Sequence, residues 1–154
     1  MKNFDNKTRG NIGVGAAIAF ASSKGWSVSV PLTDTQRYDV VFDIDGKLCR
    51  VQVKTTVSKS KEGSWVVQLK NTSIRKTSPT KIKLFNAADV EYLFILTGEG
   101  DRFFIPSSEV IAKNGLTISG RIEPYRVCDF WEKDCTASAR QTGLNPVAPE
   151  REDC

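Results

Sequence analysis

Polar and apolar residues alternate most strictly over residues 38–56, Tyr-Asp-Val-Val-Phe-Asp-Ile-Asp-Gly-Lys-Leu-Cys-Arg-Val-Gln-Val-Lys-Thr-Thr. Alternation with period two predicts β-strands. Asp45-Gly46 between the two runs predicts a two-residue type I′ hairpin, because both central residues of that turn need positive φ. With Asp45 and Gly46 as the turn, Ile44 faces Lys47 and Asp39 faces Gln52. Successive side chains leave opposite faces of a strand. Val40, Phe42 and Ile44 therefore share an apolar face with Cys49, Val51 and Val53, while Asp39 and Gln52 share the other with Lys54. A lysine ending a run of β-forming residues needs water or a partner. An acid, an amide and a lysine on one polar face form a candidate site, although a plain solvated face fits the hairpin alone equally well.

Upstream, Ile12, Ala16, Ala19 and Phe20 recur at helical spacing and predict a helix over residues 6–24, with Thr8 as N-cap and Gly25 at C′. Gly10, Gly13 and Gly15 each weaken that helix by up to ~1 kcal/mol relative to Ala. They mark either a close backbone approach or a late helix start. Residues 26–31 alternate as a strand that stops at Pro31. Beyond the hairpin, residues 55–63 read as a basic Ser/Thr-rich loop, 64–70 as a strand and 71–83 as a long, exposed, basic loop. Residues 91–97 are continuously apolar, as in a strand buried on both faces. A turn over 98–101 and a returning strand over 102–106 follow. Ser107 or Ser108 caps a short helix reaching Asn114, with Gly115 as its stop. Residues 116–127 hold one short strand, Phe130-Trp131 add an aromatic pair, and the C-terminal stretch has little apolar content and no period. The expectation is a single domain over 1–135 and a mobile tail over 136–154.

Composition sharpens the chemistry more than the fold. The 154 residues are one domain by length, and 40% apolar with 26% charged residues is ordinary for a globular chain. No apolar run approaches the roughly 20 residues that cross a bilayer, and no signal-peptide core follows the N-terminus, so a cytoplasmic protein without a membrane partner is expected. The four cysteines lack Cys-x-x-Cys spacing, and Cys49 on the apolar hairpin face reads as a buried free thiol in a reducing compartment. The chain has no histidine. That excludes Ser-His and Cys-His catalysis and His-ligated zinc. Hydrolysis would have to rest on carboxylates, lysine and a metal held by oxygen ligands, a set that suits Mg²⁺. The net charge of +4 is unevenly spread: residues 50–83 hold nine basic residues and one acid, whereas from Asp129 onward six acids meet three basic residues. A basic half with an acidic tail points to a polyanion partner.

With Asp39 on one strand and Gln52-Val53-Lys54 on the next, a helix before and a Trp-led strand after, the chain resembles the PD-(D/E)xK nuclease superfamily. The pieces Gly25-Trp-x-Val-x-Val-Pro-Leu, Arg37-Tyr-Asp-Val and Val51-Gln-Val-Lys-Thr carry the resemblance, which runs from about Lys7 to Ile105. Within that superfamily it looks most like the small homing endonucleases encoded in group I introns, whose motif also has Gln for Glu. Holliday-junction resolvases share the core and are the alternative enzyme; a DNA-binding protein with this fold and no cleavage is the alternative outside enzymes. The resemblance implies an α/β fold with a restriction-endonuclease-like core, a central mixed β-sheet flanked by helices, and Mg²⁺-dependent hydrolysis of double-stranded DNA at a specific site, with no small-molecule substrate. Asp39 and the backbone carbonyl of Val53 would bind the metal, Gln52 would offer an oxygen or position water, and Lys54 would orient the attacking water. The basic segments 55–63 and 71–83 would lie on DNA through Lys59, Lys61, Arg75, Lys76, Lys81 and Lys83. A homodimer or homotetramer is implied, with Tyr125, Phe130 and Trp131 as interface candidates. One position departs from the family pattern: Val14 stands where its first helix usually has a metal-directed Glu, and no acid occurs between Asp5 and Asp34. Weakened cleavage is the expectation.

Overall fold

The computed structural model describes residues 4–33, 35–75 and 78–128. Its organising hairpin follows the local chemistry of the turn: Asp45 and Gly46 adopt φ 51° and 81°. That turn sets the register of β2 (Val40–Ile44) against β3 (Lys47–Thr56), with Val40 opposite Val51 and Ile44 opposite Lys47. Strand β1 (Ser27–Ser29) pairs antiparallel with β2 on its outer edge. On its other edge β3 pairs in parallel with β7 (Tyr92–Thr97), and β7 pairs antiparallel with β8 (Arg102–Pro106). The short β10 (Arg126–Val127) completes a six-stranded mixed sheet in the order β1-β2-β3-β7-β8-β10. The architecture is α/β.

Helix α1 (Asn6–Ser23) covers one face of this sheet. Its first turn is capped by Asp5, whose side chain accepts the Thr8 N–H at 2.7 Å, so Thr8 is the capped residue and not the expected cap. Gly25 follows the helix at φ 75°, the left-handed stop that glycine supplies cheaply. Phe20, Phe42, Phe94 and Phe104 meet beneath the helix with Val40, Val51 and the free thiol of Cys49. Cys128, near the end of the described chain, is disulfide-bonded.

A second apolar core covers the other face. Leu93, Ile95, Phe103 and Ile105 from the sheet pack against Val67, Leu69, Phe85 and Ile118. Among the described residues α1 is the sole α-helix, and this second face is closed by a two-stranded ribbon, β4 (Val66–Gln68) with β9 (Gly115–Thr117). The helix expected up to Asn114 is a single 3-10 turn over Ser107–Glu109. The segment after it turns to tertiary partners instead: the Lys113 carbonyl accepts the Phe85 N–H, and the Asn114 carbonyl those of Leu69 and Lys70.

Where a loop over 71–83 is expected, two strands pair instead: β5 (Asn71–Arg75) runs antiparallel to β6 (Ser78–Lys83), Asn71 opposite Lys83 and Ser73 opposite Lys81. Its polar, Ser/Thr-rich composition hides the strand pattern, but Thr72, Ile74, Thr80 and Ile82 are β-formers at alternate positions. Lys76 and the aromatic pair Phe130-Trp131 lie outside the described residues, as does the segment 136–154.

The three helix glycines separate cleanly. A Cβ on Gly13 would come within 2.5 Å of Thr55 Cγ2 and 3.1 Å of Val53 Cγ1, whereas Gly10 and Gly15 have nothing within 4 Å. Gly13 therefore marks a close approach of the helix backbone to β3, and the stiff β-branched Thr55 cannot easily yield. Gly15→Ala should raise stability by about 0.5–1 kcal/mol through helix propensity. Gly13→Ala should lower it by about 1–3 kcal/mol, because overpacking outweighs the same propensity gain. Urea unfolding midpoints moving in opposite directions for the two variants check this.

Candidate active site

The site forms where β2 leaves β3. The pairing register ends at Val40 opposite Val51, with the Asp39 N–H still donating to the Val51 carbonyl at 2.9 Å. One step further, a side chain replaces the missing strand: Asp39 Oδ2 accepts the Val53 N–H at 2.6 Å. In a strand, the N–H and carbonyl of one residue leave the same edge. The Val53 carbonyl therefore faces the edge that β2 has vacated, beside Asp39.

Gln52 and Lys54 alternate with Val53 and occupy the opposite face of β3 from α1. That face continues in Leu93 and Ile95, which lie beside Gln52 and Lys54 across the parallel pairing. The polar face is thus not an open surface, because it abuts the second core. Gln52 is only 9% exposed, and its Nε2 donates to the Arg37 carbonyl at 3.4 Å. Burial is the largest influence on both charged members. It pushes Asp39 above its ordinary value, against the opposing pull of the Val53 N–H and of Lys54. It pushes Lys54 below its ordinary value, opposed by Asp39. The Asp39 residue as a whole is nevertheless exposed, so the site reaches the surface at this residue.

Two ion pairs frame this corner. Arg50 grips Glu91 through its side chain (NH2 to Oε1, 2.6 Å) and its backbone N–H (to Oε2, 2.6 Å), while the Glu91 N–H returns to the Arg50 carbonyl. Arg37 NH1 meets Asp89 Oδ2 at 2.9 Å. Sequence reasoning missed both pairs. Their partners lie 41 and 52 residues apart and come together through the β3–β7 crossover, which leaves no local signal.

The structure gathers Asp39, Gln52, Val53 and Lys54 at one place. Val14 lies on α1, half-buried against the helix-side core, directly after the Gly13 backbone that abuts Val53. Lys59 is already engaged: its Nζ bonds Glu99 Oε1 at 2.6 Å and lies 4.3 Å from the centroid of the Trp65 ring. Lys61 is exposed on the same loop. Arg75, Lys81 and Lys83 sit on the β5–β6 ribbon. Among the described residues, no three His, Cys, Asp or Glu side chains converge as a metal-binding group. The oxygen donors that these residues offer, the Asp39 carboxylate, the Val53 carbonyl and the Gln52 amide, are hard donors suited to a magnesium-like cation but carry one formal charge. No described helix is long and apolar enough to cross a membrane.

A family model described as PD-(D/E)XK endonuclease matches residues 4–129. The solved structure of a bacterial homing endonuclease, I-Ssp6803I, is similar, with a TM-score of 0.70 and 26% sequence identity over 80% of this chain and 89% of that one. None of the curated proteins compared matches the chain.

The upward shift at Asp39 has a defined consequence for stability. An acid whose folded pKa is raised favours folding while neutral, and that advantage disappears as pH rises through the folded value. Asp39→Asn keeps an oxygen for the Val53 N–H but does not ionise. Its stability relative to the unmodified chain should rise as pH increases above the ordinary aspartate value of 3.8, then level off. Urea unfolding of both proteins between about pH 3 and 7 measures this. A difference that stays flat or falls would mean burial does not dominate at this carboxylate.

Proposed function

We propose that this chain, which belongs to the PD-(D/E)XK endonuclease family, is a site-specific double-stranded DNA endonuclease of the homing type that uses Mg²⁺ to hydrolyse phosphodiesters. The observation that carries this reading is the junction of Asp39 with Val53 and Lys54 at the vacated edge of β3. Asp39, the Val53 carbonyl and the Gln52 oxygen would hold the cation. A divalent ion held there supplies charge against the phosphate and lowers the pKa of bound water. Lys54 orients the attacking water and neutralises phosphate charge, and its lowered pKa suits it to exchange a proton nearer neutral pH.

Val14 sets the expected activity. It follows the helix position that touches Val53, so an acid there would add a second charge to a site whose motif otherwise supplies one carboxylate. Mg²⁺ parts with its water reluctantly, and a single carboxylate holds it weakly. Cleavage by the unmodified chain should therefore be weak. Val14→Glu should raise the rate about tenfold or more and lower the Mg²⁺ concentration needed, while Lys54→Ala should reduce cleavage by about 10²-fold or more in either background. Target sequences recovered from a random DNA pool, then incubated across a Mg²⁺ series, provide the assay. Robust cutting with no gain from Val14→Glu would show that the acid is not needed. Binding without cutting in every variant would favour a DNA-binding protein, and cutting of four-way junctions irrespective of sequence would favour a resolvase.

The β5–β6 hairpin fits the DNA-contact role expected of residues 71–83, because a two-stranded ribbon is narrow enough to enter the major groove. Each Lys–phosphate contact contributes about one unit to the slope of log affinity against log salt. Lys81→Ala with Lys83→Ala should lower affinity and reduce that slope by about two units. Unchanged slope and affinity would remove the ribbon from the interface. A chain with one such site cuts both strands as a homodimer or homotetramer, and sedimentation of the same protein–DNA mixtures should give a mass above that of the monomer.

A further inference from the structure

Gln52 is the most buried polar residue of the site, and its amide has two chemically different ends. The carbonyl of Arg37 can accept only from the NH2 end, so the bond from Nε2 settles which end points where. The Arg37 carbonyl is itself placed by tertiary contacts. β2 begins at Val40, so no ladder of the sheet holds residues 35–38. The ring of Tyr38 packs against the second core, and the Arg37 side chain reaches to Asp89. Asp89 is anchored in turn: its N–H bonds the Asn86 carbonyl at 3.0 Å, and two residues on, Glu91 is clasped by Arg50.

We propose that the Arg37–Asp89 ion pair is a positioning device for Gln52. It holds the Arg37 carbonyl where it takes the amide nitrogen, so that Gln52 presents its oxygen, and not its NH2, beside Asp39 and Val53. The metal-binding consequence rests on the nuclease reading above, whereas the orientation of the amide belongs to the folded chain itself. The same geometry explains why this position carries an amide. A Glu at 52 would set a carboxylate oxygen against the Arg37 carbonyl, two acceptors with no proton between them. Arg37 and Asp89 side chains are 53% and 26% exposed, and partly exposed pairs contribute little to overall stability. The role of the pair is therefore local geometry.

The test uses the full ¹⁵N-labelled chain without metal or DNA, reading solvent exchange of the Gln52 side-chain amide, assigned by its loss in Gln52→Met. Exchange should be slow in the unmodified chain and several-fold faster in Asp89→Asn. It should return to slow in the charge-swapped pair Arg37→Asp with Asp89→Arg, with the urea midpoint unchanged throughout. Exchange that ignores Asp89→Asn overturns the proposal, as does a midpoint shift large enough to account for the faster exchange. A second arm measures Mn²⁺ affinity of the DNA-bound chain. Asp89→Asn should weaken it several-fold when Gln52 is present and not at all in Gln52→Met. Equal weakening in both backgrounds overturns positioning through Gln52. Amide exchange that responds as expected while Gln52→Met leaves Mn²⁺ affinity intact would support the orientation and instead refute Gln52 as a metal ligand.

Discussion

Strand β3 pairs with β2 over Lys47–Val51 and with β7 over Val51–Thr56, its second half lies between two apolar cores, and the rest of the molecule is arranged around that constraint. Its antiparallel neighbour β2 comes from a local hairpin and its parallel neighbour β7 from a crossover of some length. A strand so enclosed ordinarily carries apolar residues throughout. Here Gln52 and Lys54 are carried in the enclosed region, and the structure accommodates them by ending β2 one residue early. The Asp39 carboxylate then takes the Val53 N–H that the strand would have taken. The break in the ladder both gives the Val53 N–H a partner and leaves the edge of β3 open at the candidate site.

This arrangement works against stability at the candidate site. Burial raises the pKa of Asp39 and lowers that of Lys54, so each group is held in surroundings that favour its neutral form. Residues that break the local rules of a fold tend to mark functional positions. A cation beside Asp39 and a phosphate beside Lys54 would both favour the charged forms that burial penalises.

Charge elsewhere is distributed with similar economy. Arg50 and Glu91, with Arg37 and Asp89, balance one another around the site and hold β7 to the hairpin. Arg126 bridges Asp101 and Glu123 where β10 closes the edge of the sheet. Lys59 is tied to Glu99 and Trp65. Several basic residues that look uncommitted in a sequence are therefore structural, and a simple count of lysines overstates the charge that a polyanion would meet. The lysines of β6 lie on a strand of the ribbon whose own acidic content is nil.

The hairpin, its register and the identity of its two faces were legible in the sequence because they depend on neighbours: Asp45-Gly46 dictates the turn, and period-two alternation then assigns every side chain to a face. Strands β7 and β8, the helix and its Gly25 stop were legible for the same reason. The grouping of Asp39, Gln52 and Lys54 followed from register alone. What the sequence could not determine was how this polar face would be covered, since the β4–β9 ribbon and its core come from residues far along the chain. Nor could it show that Gly13 alone of three helix glycines touches the sheet, that Lys113 and Asn114 give their carbonyls to tertiary partners, or that Arg37 and Asp89 meet. Each of these depends on which backbone groups and surfaces arrive opposite one another once distant strands pair, and local propensity has no term for that arrival.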